Sequence, residues 1–145
     1  MANRSKEEEL SRLSVEIRLL EQTAETLQQR IGMINAAITD LTYANMTLED
    51  MEKEENDAEL LVPIGGSSYI KAKLASNDKV VLGLGAGVSV EKTLPEAKVI
   101  VKERLDELEK TMRAAQQQFA QVAQRINSGR SQLQSLFVKV REGKA

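Results

Sequence analysis

The sequence contains no cysteine, no histidine and no tryptophan, and only two phenylalanines and two tyrosines. The missing Cys and His exclude disulfides, a thiol nucleophile, thiolate or imidazole metal ligands and the side chain most often used as a general base. Aromatic residues amount to 3% of 145 residues. A conventional globular core would therefore lack its largest side chains, and buried surface has to come from aliphatic residues in an extended arrangement. No stretch approaches the roughly 20 apolar residues of a membrane span, and the start, MANRSKEEEL, has no apolar run of the secretory type. Carboxylates and lysines remain, but not in a pattern that makes a catalytic centre. These absences lead to the expectation of a cytoplasmic protein that is not an enzyme and has no cofactor, no metal site and no membrane contact.

What is present is unevenly charged. The net charge of -2 combines 6 basic and 12 acidic residues over 1–56, a balance of -6, with 10 basic and 5 acidic residues over 97–145, a balance of +5. The middle carries the remaining -1. An acidic helix beside a basic one gains favourable electrostatics, while each is a poorer partner for its own copy. The plainer reading is that these are solvated helix faces.

Apolar residues then recur at steps of 3 and 4: Leu10, Leu13, Ile17, Leu20, Ala24, Leu27, Ile31, Ile34, Ile38 and Leu41, continued by Asn45 and Leu48. Such a heptad stripe is too sustained for an ordinary globular helix and predicts a coiled-coil arm. Ser5 and Glu8 form a capping box that places the helix start near residue 6, with an end near residue 55. A second stripe of the same length runs Val101, Leu105, Leu108, Met112, Ala115, Phe119, Val122, Ile126, Gly129, Leu133, Leu136 and Val140. Thr93 with Glu96, Pro95 in the first turn and Gly143 at the end bound a second helix of about 94–142.

Between the stripes the chain changes character. ELLVPI, SYIKAKL, KVVLGL and GVSVEKT are short strand-forming runs separated by Gly65-Gly66-Ser67, Ser76-Asn77-Asp78 and Gly85-Ala86-Gly87, which predicts two consecutive β-hairpins. The expected organisation is a first helix over 1–57, a double-hairpin module over 58–93 and a second helix over 94–145, an α+β fold. Four short strands without a helix packed on them are marginal alone, and their open edges invite another chain. The candidates for subunit contact are Leu61, Val62, Ile64, Tyr69, Ile70, Val80, Val81, Leu82, Leu84, Val88 and Val90.

Because the insert returns the chain to where it left, the arms should pair antiparallel. Two registers compete. If paired residue numbers sum to 153, Ala24 meets Gly129 and leaves a void that costs a few kcal/mol. If they sum to 146, Ile17 meets Gly129, Ala24 meets Val122, Leu27 meets Phe119 and Ile31 meets Ala115, so each small residue faces a larger one. The second register is expected. It pairs Leu10 with Leu136, leaves Val140 without an apolar partner, and leaves Val15, Leu19, Phe137 and Val138 off the seam. Leu10, Leu13, Val15, Leu133, Leu136, Phe137, Val138 and Val140 are therefore the candidate contact surface at the open end. Scattered surface residues would look the same.

Three motifs carry less. Gly83-Leu84-Gly85-Ala86-Gly87 lacks the glycine spacing of a dinucleotide loop and is followed by a strand-like run where a helix should begin. The acidic residues from Glu49 to Glu59 spread around a helix end instead of converging as hard-cation ligands. The basic residues Arg125, Arg130, Lys139, Arg141 and Lys144 come without stacking aromatics or a binding motif, so no nucleic-acid partner is expected.

The order helix, two hairpins, helix resembles the α class of prefoldin subunits, most of all the archaeal kind, over essentially the whole chain. Its most specific part is Val62-Pro63, Tyr69-Ile70, Val81-Leu82-Gly83-Leu84-Gly85-Ala86-Gly87 and Val90-Glu91. Two hairpins instead of one distinguish it from the β class. The resemblance implies an ATP-independent chaperone in which two such subunits join four prefoldin β subunits. It implies hairpins that form an oligomeric β-barrel platform, arms that capture unfolded client proteins at their tips, and transfer to a group II chaperonin. The residues themselves also leave open a structural coiled-coil adaptor for one folded partner.

Overall fold

The structure of the chain, a computed structural model, describes residues 2–143, with side chains from residue 4 onward. The element order is α1 (Ala2–Glu52), β1 (Glu59–Gly65), β2 (Ser68–Lys73), β3 (Lys79–Gly85), β4 (Val88–Thr93) and α2 (Leu94–Gly143). β1 pairs with β2 and β3 with β4, each antiparallel, as two separate two-stranded sheets. Within the described residues the strands close no barrel.

Every residue of both heptad stripes is buried or half-buried, including Asn45 and Gly129. A period close to 3.5 keeps the same edge of each helix against its partner, so the pattern carries through without drifting around the helix. The register shows at Gly129. A methyl group placed on Gly129 would lie 3.0 Å from Ile17 Cγ1, which is the pairing whose residue numbers sum to 146. Ion pairs join α1 to α2 with an acid on the first helix and a base on the second. Arg130 donates to Glu21 Oε1 at 2.7 Å, and Lys98 donates to Glu52 Oε2 at 2.7 Å. The segregated charge is used between the arms, as the sequence indicates.

Two expected boundaries move. α1 begins at Ala2, not near residue 6, and Ser5 is an exposed residue inside it. Arg4, Lys6 and the run Glu7–Glu9 are strong helix formers, and continuing the helix through them costs less than stopping at the serine. At the other end α1 stops at Glu52 with no base in its last turn. Glu52, Glu54 and Glu55 sit where the helix dipole favours cations, and Asp57 takes a left-handed φ of 66° that ends any helical continuation.

The hairpins are two versions of one design. In both, the strands pair in the same register, with an irregularity before the turn and two left-handed residues at its tip: Gly66 and Ser67 in one, Ala86 and Gly87 in the other. Positive φ at both central positions is the type I′ geometry that matches strand twist. Gly65 and Gly85 precede those turns at φ 103° and 99°, where a side chain would be strained. The backbone bond that closes each hairpin also repeats: Leu74 N–H donates to Ala58 O and Leu94 N–H to Asp78 O, each at 2.9 Å. Asn77 joins the linkers, its Nδ2 donating to Glu54 O at 3.0 Å and its backbone N–H to Asn56 Oδ1 at 3.2 Å.

The contacts divide the chain into two compact units, one of residues 37–109 and one made of the remaining parts of the two arms. In the first unit, Leu82 packs with Leu48, Leu94, Ala97 and Val101, flanked by Leu41, Ala44, Val80, Val90 and Ile100. The second hairpin therefore has a helical cover from its own chain, against the expectation that neither would. Thr93 caps α2, its hydroxyl accepting from Glu96 N–H at 3.3 Å, so β4 passes directly into the helix that covers it. Asn45 Oδ1 is buried in the arm seam of this unit without a hydrogen-bond partner, a cost of about 1–3 kcal/mol.

Candidate functional site

Two surfaces are built by these elements, one in each unit. On the strands, alternation places successive side chains on opposite faces. Leu60, Val62, Ile70 and Ala72 share one face of the first hairpin, and Leu61, Pro63, Tyr69 and Lys71 the other. Both faces contain exposed apolar side chains: Leu61, Val62, Ile64, Tyr69 and Ile70 are all open to solvent. The second hairpin presents Val80, Leu82 and Val90 on its covered face and Val81, Gly83, Ser89 and Glu91 on its free one. Val81, Leu84 and Val88 are exposed.

The eleven residues expected to make subunit contacts thus separate into two groups. Leu82, at 8% exposure, lies in the core of its own chain, and Val80 and Val90 pack against it. Their pattern was readable as apolar; that α2 would fold back over them was not, because strand alternation does not say what covers a face. The other eight are exposed and available to another chain. Tyr43, Met46 and Val99 add exposed apolar surface on the helices of the same unit. Val99 lines a shallow apolar cleft with Lys92, Pro95 and Ile100. They escaped the sequence reading because it followed the heptad stripe, and the signal for them is an apolar residue off that stripe.

In the other unit, Leu10, Leu13, Leu133 and Leu136 are half-buried in the seam, while Val15, Phe137 and Val138 are exposed. Leu19, beside Val15 on α1, and Met33 are exposed as well. Val140 corrects the expectation: it is 8% exposed and not left bare. The register that sums to 146 places Lys6, which lies within α1, opposite Val140. Lys6 is half-buried, and a lysine stem covers apolar surface while its ammonium reaches water. The shallow grooves along this part of the arms are lined by side chains of both charges together with Leu13, Ile17 and Leu136.

The electrostatics are modest. Glu52, hydrogen-bonded to Lys98 at 2.7 Å, raises the ammonium above its ordinary pKa. Among the described residues no three acidic side chains converge as a metal site, and no helix is long and apolar enough to cross a membrane. Gly85, Ala86 and Gly87 form the β3–β4 corner and lead into a strand, so they are turn residues.

A family model described as prefoldin subunit matches residues 20–139. The chain is 35% identical over 122 residues to a prefoldin subunit alpha of Methanococcoides burtonii, covering 84% of this chain and 88% of that one. It is 32% identical over 127 residues to the prefoldin subunit alpha of Pyrococcus horikoshii, covering 87% and 84%. Its fold is similar to a chain of filamentous PFD from Methanocaldococcus jannaschii, with a TM-score of 0.66 and 25% identity over 77% of this chain and 93% of that chain. A prefoldin beta subunit from Thermococcus strain KS-1 shares the fold alone, with a TM-score of 0.59 at 16% identity over 88% and 90%. Two helices in antiparallel register, the two hairpins between them and these likenesses place the chain in one family: it belongs to the prefoldins, a family of chaperone subunits, as a member of the alpha class.

Proposed function

We propose that this chain is an ATP-independent holding subunit that captures unfolded client proteins at the open end of its arms and passes them to a group II chaperonin in the cytoplasm. The observation that carries this reading is the exposure of Val15, Phe137 and Val138 beside a seam whose residues are all at least half-buried. A non-native client exposes apolar surface of no fixed shape, so a site for many clients has to be apolar, adaptable and repeated. Several arms carried on one assembly supply the repetition. Leu10, Leu13, Leu133 and Leu136 become accessible as helix ends fray, and Val140 with them; Phe137 is the strongest single anchor because it is large and off the seam. The exposed hairpin residues supply the platform, joining two such chains to four beta subunits through strand edges that this chain leaves unpaired.

The test uses the complex assembled with beta subunits. Replacing Val15, Phe137 and Val138 together by serine should leave its mass and helical circular dichroism unchanged and weaken its suppression of aggregation of several unrelated clients. Truncation after Leu133 should have a larger effect. Full holding activity in both variants would sink the tip reading. An adaptor for one folded partner would show no suppression even in the unaltered complex.

A further inference from the structure

The two flanks of the arm seam are built differently. Heptad spacing puts Glu21, Arg130 and Phe137 on one flank, where Arg130 and Glu21 form an ion pair across the helices. The same spacing puts Glu9 and Glu16 of α1 beside Arg125, Gln132 and Lys139 of α2 on the other, and there the seam is left as an open groove. Two stretches of about 510 and 550 Å³ meet at Leu13, Glu16 and Gln132. Leu13, Ile17, Leu20 and Leu136, all buried or half-buried, form the floor. Ser128, Gly129, Ser131 and Ser135 are too small for α2 to fill the space above it. The uncharged side chains of the α2 wall, Gln121, Gln124, Ser128, Ser131, Gln132 and Ser135, are all exposed, and each can donate and accept a hydrogen bond. The charged ones are Arg125 and Lys139 on α2 and Glu9, Arg12 and Glu16 on α1; among the described residues none of these five takes part in an ion pair of its own chain. Charge also divides between the two compact units. Residues 1–36 and 110–145 carry 12 basic and 7 acidic side chains, a balance of +5, whereas residues 37–109 carry 8 and 15, a balance of -7. Between Glu109 and Glu142 the α2 sequence has no acidic residue at all.

We infer that this groove selects clients by backbone shape and by charge: it takes an extended segment of a non-native chain in which apolar residues alternate with acidic ones. An extended segment leaves its N–H and C=O groups without partners, and the hydroxyls and amides of the α2 wall can satisfy both kinds. A helical segment has already paired its own and gains nothing from such a wall. From Glu9 to Leu20 the groove runs about 17 Å along α1, the length of about five residues of strand. Alternation in a strand sends every second side chain to the apolar floor and the others to the rim, where Arg125 and Lys139 attract carboxylates. Glu9 and Glu16 repel them from the α1 wall, so the segment lies against α2, the side that carries the hydrogen-bonding groups. The acidic balance of the other unit keeps such a segment away from it. The inference rests on the holding role proposed above, and it adds a contact surface on the flank of the seam opposite Phe137.

The test uses the complex assembled with beta subunits and two short peptides, one alternating leucine with aspartate and one alternating leucine with lysine, each carrying a photoreactive leucine analogue. Labelling is mapped by mass spectrometry on this chain alone, so the beta arms do not obscure it. The aspartate peptide should label this chain about tenfold more than the lysine peptide at low salt, given the usual worth of a few exposed charge pairs. The preference should shrink as salt is raised. Its labels should fall on residues 13–20 and 121–136. R125E with K139E should invert the preference. S131Q with S135Q keeps the polar chemistry and narrows the groove; it should leave circular dichroism unchanged and reduce labelling by both peptides. Equal labelling by the two peptides, a preference that survives R125E with K139E, or labels confined to Val15, Phe137 and Val138 would each overturn the inference. The last result leaves the tip reading standing, whereas groove labelling together with full client holding in the Val15, Phe137 and Val138 serine variant removes the tip reading and leaves this one.

Discussion

The first hairpin and the second are made to the same local pattern and meet different fates. Each has a two-residue left-handed turn, a glycine near φ 100° before it and apolar residues alternating along its strands. Leu82 in the second is 8% exposed, whereas Val62 at the equivalent place in the first is 44% exposed. The cause is connectivity. β4 runs straight into α2, so the first turns of that helix, with Leu94, Ala97 and Val101, are bound to lie over the hairpin that leads into them. β2 runs instead into the five-residue Leu74–Asp78 linker, in which Leu74 is buried but lies outside the cluster around Leu82 and no helix follows to cover the hairpin. One hairpin is thus part of the core of its own chain and the other leaves its apolar side chains exposed, and the difference comes from the segment that each hairpin leads into.

The largest test of that contrast is a matched pair of truncations in the isolated chain. Leu82→Ala should destabilise it by about 2–5 kcal/mol, the cost of a cavity in a packed cluster. Val62→Ala should cost less than about 1 kcal/mol, since half its surface already meets water. Equal midpoints in urea for the two variants would abolish the distinction between a covered and an uncovered hairpin. In the assembled complex Val62→Ala should become the costlier of the two relative to its value in the monomer.

A smaller effect sharpens the same contrast at the turns. Alanine at Gly85 or at Gly65 brings a side chain to φ 99° or 103°, a strain of about 1–3 kcal/mol in either case. Gly85→Ala should lower the global unfolding midpoint, because its hairpin unfolds with the core. Gly65→Ala should leave that midpoint nearly unchanged and appear only as faster hydrogen exchange of β1 and β2 amides, which open locally. If both variants shift the global transition alike, the first hairpin is cooperative with the core after all.

The smallest effect concerns the ion pair at the helical base of the covered hairpin. Glu52 holds the Lys98 pKa above its ordinary value of 10.5. A raised folded pKa means that the pair's contribution is complete below the unfolded pKa and is lost as pH rises through the folded one. Glu52→Gln should return the Lys98 titration, followed by NMR, towards its ordinary value and leave stability at neutral pH almost unaltered, as for most exposed pairs. A large stability loss at pH 7 would mean that this pair does more than its exposure allows.

Both arms and both hairpins were legible because their determinants are periodic and local. Each residue of the two heptad stripes is buried or half-buried as the spacing requires, and Gly129 sits against Ile17 because a glycine is the small partner the isoleucine needs. Legibility fell at the ends of elements and at faces. Ser5 and Glu8 read as a cap, yet a capping pair competes poorly with the helix-forming residues on both sides of it. Val140 reads as unpartnered because the stretch opposite it is polar, and spacing does not reveal that a lysine stem covers apolar surface. Leu82 read as a subunit contact because alternation marks a residue as apolar and says nothing of its cover.

The sequence by itself determined the two helices, their antiparallel register and the four strands, since each arises from side-chain spacing, size or turn geometry within a short stretch of chain. Only the tertiary structure decided which apolar faces the chain covers for itself. That outcome depends on residues far apart in sequence arriving at one place: Leu48 from the end of one arm and Val101 from the start of the other close over Leu82. On the equivalent face of the first hairpin Val62 and Ile70 stay exposed, because no helix of the buried cluster reaches them.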